Sequence, residues 1–306
     1  MSEVKNFEID SNIKILVTCG NSHLGSEVIR YLLEKKYPPK NILTTVRSLE
    51  KGKKWEEKGI QIRVADYKDP QSLEKAFTGV DRIYMVSSIG EKECPRSKQH
   101  LNVVESAKKC GVKLIVYSGF LNCQNNTNIV ADDHKYTEKI LEESGLNYSI
   151  ARNATYMNSN GELFKYLMKK ENNFFYNTCK DQKIGFRLIR ELGEAGACIL
   201  LKKEPKKIYE LSGKPVSYID IKNAIEKMTG KKINVIDASV DDIDLKLKEL
   251  GFGVYFSMFI KFMSADYLNG IYNINSSDME DLIGHPVASL EEQIKEVINE
   301  KNYFPM

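Results

Sequence analysis

Residues 13–36 read IKILVTCGNSHLGSEVIRYLLEKK, and the change of rhythm inside this stretch decides the fold. Ile13–Thr18 is apolar and β-branched with no clean alternation, the pattern of a strand buried on both faces. Leu24–Lys36 then places its apolar residues three and four apart, as an amphipathic helix does. Only a few residues join the two. A strand that turns so sharply into a helix aims backbone N–H groups of the helix N-terminus at one point, a natural place for a phosphate.

The same alternation continues outward. Asn41–Val46, Gln61–Ala65, Arg82–Val86, Lys113–Tyr117 and Leu146–Ala151 read as further strands, and Lys51–Lys58, Ser72–Thr78, Pro95–Cys110 and Asp132–Ser144 as helices between them. Strands alternating with helices, most of them without period-2 patterning, predict an α/β protein with a Rossmann-type doubly wound parallel sheet over residues 1–152. After Arg152 the rhythm loosens. Lys207–Leu211 and Lys232–Ile236 look like short strands; Tyr218–Met228, Val240–Leu250, Val254–Leu268 and Leu290–Glu300 look helical. No Gly/Ser/Pro linker intervenes, so residues 153–306 are expected to form a smaller mixed α/β part packed on the core and covering a cleft.

Composition narrows the function. The 306 residues carry 45 Lys+Arg and 42 Asp+Glu, a net charge of +3, too balanced for a surface that recruits nucleic acid or anionic membrane by charge. No stretch approaches the ~20 apolar residues of a membrane span. The most apolar segment, Val254–Met263, is interrupted by Lys261 and is expected to cover the core, with a partner surface as the alternative. The polar N-terminus, MSEVKNFEIDSN, has neither a signal nor a transit pattern. Cysteines 19, 94, 110, 123, 179 and 198 form no C-x-x-C and have no histidines at metal spacing, so no metal site is expected. Reduced thiols in a cytoplasmic protein are the simplest reading. Among them Cys19 stands at a helix N-terminus, a position that lowers a thiol pKa.

The junction Thr18-Cys19-Gly20-Asn21-Ser22-His23-Leu24-Gly25 resembles the T-G-A-T-G-x-L-G loop of atypical short-chain dehydrogenases, with Cys19 and Ser22 at two of the family's glycines. It makes Thr18, Gly20, Asn21, Ser22, His23, Leu24 and Gly25 the candidate cofactor loop. Each replacement adds a Cβ where glycine permits positive φ or close approach to pyrophosphate. Asn21 is expected to absorb part of the turn, since asparagine tolerates the left-handed region, and Ser22 can donate to phosphate. A loop that binds a nucleotide and one kept only as a fold element both remain open. The strand-two end, Thr44-Thr45-Val46-Arg47-Ser48, has no acid for a ribose 2′-OH but has Arg47, which favours NADP. A solvated surface arginine is the alternative.

The resemblance extends along the chain. Ala65-Asp66-Tyr67, Leu73 to Gly79-Val80, Ile83 to Ser87-Ser88 and His100-x-Asn102-Val103-Val104 fit the NmrA-like group. So do Ala131 to Lys139, Ser144-Gly145, Arg152-Asn153, Tyr209 to Gly213 and Leu282-Ile283-Gly284-His285-Pro286. Within the group they are similar to type 2 quinone oxidoreductases and triphenylmethane-dye reductases. The resemblance implies an NADPH-binding fold that passes hydride to a quinone-like or other conjugated small molecule, with Ser87, Ser88 and Asn153 on the cofactor. It also implies that His134 and Glu138 take the catalytic spacing of Tyr-x-x-x-Lys. One turn apart on a helix, the carboxylate would orient or charge the imidazole; a structural pair is the alternative. Phe120, Tyr156 and Met157 are candidate acceptor-pocket residues, or core. Ile189 stands where the family has an arginine, with Arg190 one residue late. Cys19, Ser22 and Ile189 together are expected to weaken NADPH binding. Besides the reductase, two readings stay open: a non-catalytic redox sensor that reports to a protein partner, and a relative that has lost the dinucleotide.

Overall fold

In the computed structural model, which describes residues 8–126 and 128–300, the opening stretch folds as strand β1 (Ile15–Val17) and helix α1 (His23–Glu34). The alternation follows with β2 (Ile42–Val46), α2 (Lys53–Glu56), β3 (Gln61–Val64), α3 (Pro70–Phe77), β4 (Arg82–Met85) and α4 (Arg96–Lys109). Then come β5 (Leu114–Phe120), α5 (Ile129–Glu143), β6 (Tyr148–Asn153), β7 (Thr155–Tyr156), α6 (Gly161–Met168) and β8 (Phe174–Asn177). The chain continues through β9 (Phe186–Arg187), α7 (Ile189–Leu201), β10 (Ile208–Leu211), α8 (Tyr218–Thr229) and β11 (Asn234–Asp237). Helices α9 (Ile243–Glu249), α10 (Val254–Leu268), α11 (Asp278–Ile283) and α12 (Leu290–Asn299) complete it. Part of the N-terminal reading falls on residues 1–7, outside the described residues.

Seven parallel strands form the central sheet in the order β10-β6-β5-β4-β1-β2-β3. β1 and β2 are buried along their whole length, whereas the edge strand β3 is half exposed, as burial on both faces of a parallel sheet requires. One face is packed by α1 and α7 through Val28, Leu32, Ile199 and Leu200; the other by α3 and α4 through Leu73, Phe77, Val103 and Val104. A third apolar cluster, built on Phe164, Phe186, Ile225 and Phe256, holds the C-terminal elements together.

Two features depart from the sequence reading. The expected division at 152/153 is crossed by β10, which pairs with β6, and by α7, which packs against α1. Helix α7 was not legible because it is buried almost all round and shows no polar stripe. Its glycines permit that depth: a Cβ on Gly193 would lie 2.3 Å from Glu27 Cβ, and one on Gly196 2.6 Å from the Tyr84 ring. The segment Val254–Met263 covers the core along one face only. Phe256 and Met263 are buried, but Val254, Tyr255, Met258 and Phe262 are exposed. Among the described residues no helix is long and apolar enough to cross a membrane.

Candidate functional site

β1 lies between β2 and β4, so the connections leave it toward opposite faces of the sheet and a crevice opens at the carboxyl ends of these strands. A cleft of about 760 Å³ occupies that place. From the loop after β1 it is lined by Cys19, Asn21, Ser22, His23 and Leu24; from the segment after β2 by Arg47 and Lys51; and from the segment after β4 by Ser87 and Ser88. Tyr156 closes it from the C-terminal part.

The loop is held tightly to β2. Thr45 accepts from the Cys19 N–H through Oγ1 (3.1 Å) and from the Gly20 N–H through its carbonyl (3.1 Å), and Trp55 Nε1 donates to the Gly20 carbonyl (2.8 Å). The left-handed turn falls on Cys19, at φ +53°, and not on Asn21 as expected. Substituting a residue with a Cβ for glycine there costs about 1–2 kcal/mol. Burial pushes the Cys19 thiol above its ordinary pKa, against the lowering that its position before a helix suggested. Ser22 is the N-cap of α1: its Oγ accepts from the Gly25 N–H at 3.0 Å. That bond occupies one helix-terminal donor but leaves the hydroxyl hydrogen to donate elsewhere. Among the described residues the N–H groups of Asn21 and Leu24 have no protein acceptor, so donors remain at the helix N-terminus where an anion fits.

Three residues of the motif support the loop without lining the cleft. Thr18 is fully buried, with Oγ1 bonded to the Tyr84 carbonyl (3.2 Å), the Val86 N–H (2.9 Å) and the Tyr67 hydroxyl (2.6 Å). Gly20 faces β2, where a Cβ would meet Thr44 Oγ1 at 2.0 Å, and Gly25 faces the Cys19 carbonyl at 2.5 Å. Arg47 is exposed and makes no ion pair among the described residues.

His134 and Glu138 do not form the expected carboxylate–imidazole pair. His134 Nδ1 shares a 2.6 Å hydrogen bond with the Tyr117 hydroxyl, and its ring stacks on Phe120 at 5.2 Å. Burial first, then the charge of Arg96, holds its pKa well below the ordinary histidine value. Glu138 instead takes Arg152 in a two-point pair, Nε to Oε1 at 2.9 Å and Nη2 to Oε2 at 2.7 Å, and accepts from Gln124 at 2.7 Å. Its carboxylate is spent on Arg152 rather than on the imidazole. Neither His134 nor Glu138 lines the cleft.

Of the other candidates, Met157 is fully buried in the C-terminal core, Phe120 packs between His134 and Tyr272, and Asn153 is buried beside Tyr84 and Tyr156. Only Tyr156 of the proposed acceptor pocket reaches the cleft. Ile189 is the buried first residue of α7, its N–H donating to Asn158 Oδ1, while Arg190 turns to Glu296 at 2.8 Å; neither lines the cleft. Sequence reasoning missed Tyr67, Lys51 and Gln99 as lining residues. The Ala65-Asp66-Tyr67 run was a signal for the first.

The NmrA-like family model matches residues 11–284. Quinone oxidoreductase 2 of Escherichia coli (strain K12) is 30% identical over 292 residues, covering 94% of this chain and 100% of its own. Triphenylmethane reductase of Citrobacter sp. superposes with a TM-score of 0.87 at 27% identity, over 94% of this chain and 100% of that one. The NADPH-dependent quinone oxidoreductase of E. coli, solved with NADPH, gives 0.85 at 28% identity, over 93% and 100%.

Proposed function

The chain belongs to the NmrA-like family, and from that premise we propose that it is an NADPH-dependent oxidoreductase whose acceptor is a quinone or a similarly conjugated small molecule. One observation carries the reading: a single cleft at the strand C-termini joins the α1 N-terminus, Arg47 and the Ser87–Ser88 segment. The relatives support it, one being a quinone oxidoreductase solved with NADPH and another a dye reductase.

The residues fit a dinucleotide. The Asn21 and Leu24 N–H groups, with the Ser22 hydroxyl, would hold a pyrophosphate; Arg47 and Lys51 would meet a 2′-phosphate to one side, and Ser87 and Ser88 would take the nicotinamide half on the other. NADPH supplies the hydride, and hydride transfer to an electron-poor ring asks little of protein acids. The chain's own work is therefore binding and orientation. Tyr156 closes the cleft, and His134, bonded to Tyr117 and stacked on Phe120 away from the cleft lining, acts as a fixed structural group rather than as an ion at the acceptor.

Titration with NADPH and with NADH, followed by reduced-nicotinamide fluorescence, tests the reading. Preferential NADPH binding followed by its oxidation across a panel of quinones is expected. No binding by either nucleotide up to millimolar concentration refutes it; binding without oxidation by any acceptor would move the protein to a sensing role.

A further inference from the structure

Past the end of β4 the sheet ladder stops, yet Ser87 and Ser88 are not left loose. The Ser87 N–H donates to Ser118 Oγ at 2.8 Å. The Ser88 N–H donates to His100 Nε2 at 3.0 Å, and the Ser88 carbonyl accepts from Arg96 Nε at 2.5 Å. Arg96 and His100 stand one turn apart on one face of α4, so a single helix grips both peptide groups of Ser88.

The protonation of His100 follows from these bonds. A backbone N–H can only donate, so Nε2 is the acceptor and the ring proton sits on Nδ1. Nδ1 then donates to Thr137 Oγ1 at 2.7 Å, and the Thr137 hydroxyl in turn donates a hydrogen bond to the Asp133 carbonyl at 2.8 Å. His100 is fully buried, and its ring is set edge-on against Tyr117 at 5.5 Å. Nothing in this chain of bonds has a free rotor.

Once its peptide groups are held, Ser88 keeps one polar atom without a partner among the described residues. That atom is Oγ, shielded from solvent in a residue that lines the cleft. A buried hydroxyl with no partner carries a desolvation cost that a ligand acceptor would relieve.

We propose that His100 and Arg96 are positioning residues that clamp Ser88 so that its hydroxyl reads the nicotinamide half of the bound dinucleotide. The proposal rests on the dinucleotide reading above and adds a device that fixes where that half sits.

The experiment compares two ligands: NADPH, and 2′-phospho-ADP-ribose, which lacks the nicotinamide. His100→Leu removes the acceptor for Ser88; His100→Gln restores an oxygen near the place of Nε2; Ser88→Ala removes the hydroxyl and leaves the clamp. His100→Leu and Ser88→Ala are each expected to weaken NADPH roughly tenfold, the weight of one hydrogen bond. Both should leave 2′-phospho-ADP-ribose within about twofold, His100→Gln should recover most of the loss, and the double variant should lose no more than either single one. Equal losses for both ligands, or unchanged NADPH affinity, would overturn the clamp. If the wild-type protein binds neither ligand, the dinucleotide reading falls and takes the clamp with it.

Discussion

Lowering the pH from 7.5 to 5.0 is expected to cost the native protein about 2 kcal/mol through His100 alone. Burial, and after it the charge of Arg96, pushes His100 from the ordinary 6.5 down to about 3. In the native state the imidazole stays neutral throughout this range because Nε2 is committed to the Ser88 N–H. The unfolded chain, by contrast, binds a proton at this residue below pH 6.5. Stability therefore rises with pH across the window between the two values, and full stability is present above 6.5. At pH 5.0 the unfolded state has gained about 1.5 pH units of protonation free energy at roughly 1.4 kcal/mol each. Urea unfolding of wild type and His100→Gln at both pH values isolates the effect, since glutamine does not titrate. His134 is lowered in the same direction. His285 is raised, first by the Pro286 carbonyl and further by Glu194, so its contribution is present at low pH and fades as pH rises through its raised pKa. Both are common to the two proteins and cancel in the comparison. The variant should thus lose about 2 kcal/mol less than wild type on acidification. Equal losses in the two proteins would refute the buried neutral imidazole, and with it the tautomer assigned from the Ser88 bond.

Three further outcomes are expected. Arg47→Ala should weaken NADPH by tenfold or more, on the scale of about 1.5–3 kcal/mol for a hydrogen bond to a charged group, while NADH changes little; equal losses in fluorescence titrations would remove Arg47 from the 2′-phosphate. Cys19→Gly relieves a left-handed conformation worth about 1–2 kcal/mol and clears a Cβ from the cleft. NADPH binding should then tighten several-fold, with a small change in unfolding free energy because glycine adds chain entropy; unchanged affinity would detach the loop from the pyrophosphate. Glu138→Gln leaves Arg152, otherwise paired with Glu210 at 2.7 Å, short of a buried partner. Its unfolding free energy should fall by about 3 kcal/mol, with His134 keeping its NMR tautomer; a changed tautomer would restore the His134–Glu138 pairing that the geometry denies.

Residues 13–36 and the five strand patterns after them determined the parallel sheet, because a strand buried on both faces leaves a continuous apolar signature and each helix between strands repeats an amphipathic one. The loop before α1 and Arg47 were legible for the same local reason: their chemistry belongs to short segments at strand ends. What the sequence could not decide was how side chains pair across elements. Spacing alone put Glu138 beside His134, yet Arg152 on β6 offers Glu138 two aligned donors and a buried charge, a stronger claim than a neutral ring one turn away. Nor could it say which residue takes the left-handed turn. Thr45 on the neighbouring strand binds the N–H groups of both Cys19 and Gly20, and that anchoring puts the positive φ on Cys19. Helix α7 and strand β10 joined the first half for a similar reason: the sheet edge at β6 and the apolar face of α1 needed cover, and only the folded chain shows which distant segment supplies it.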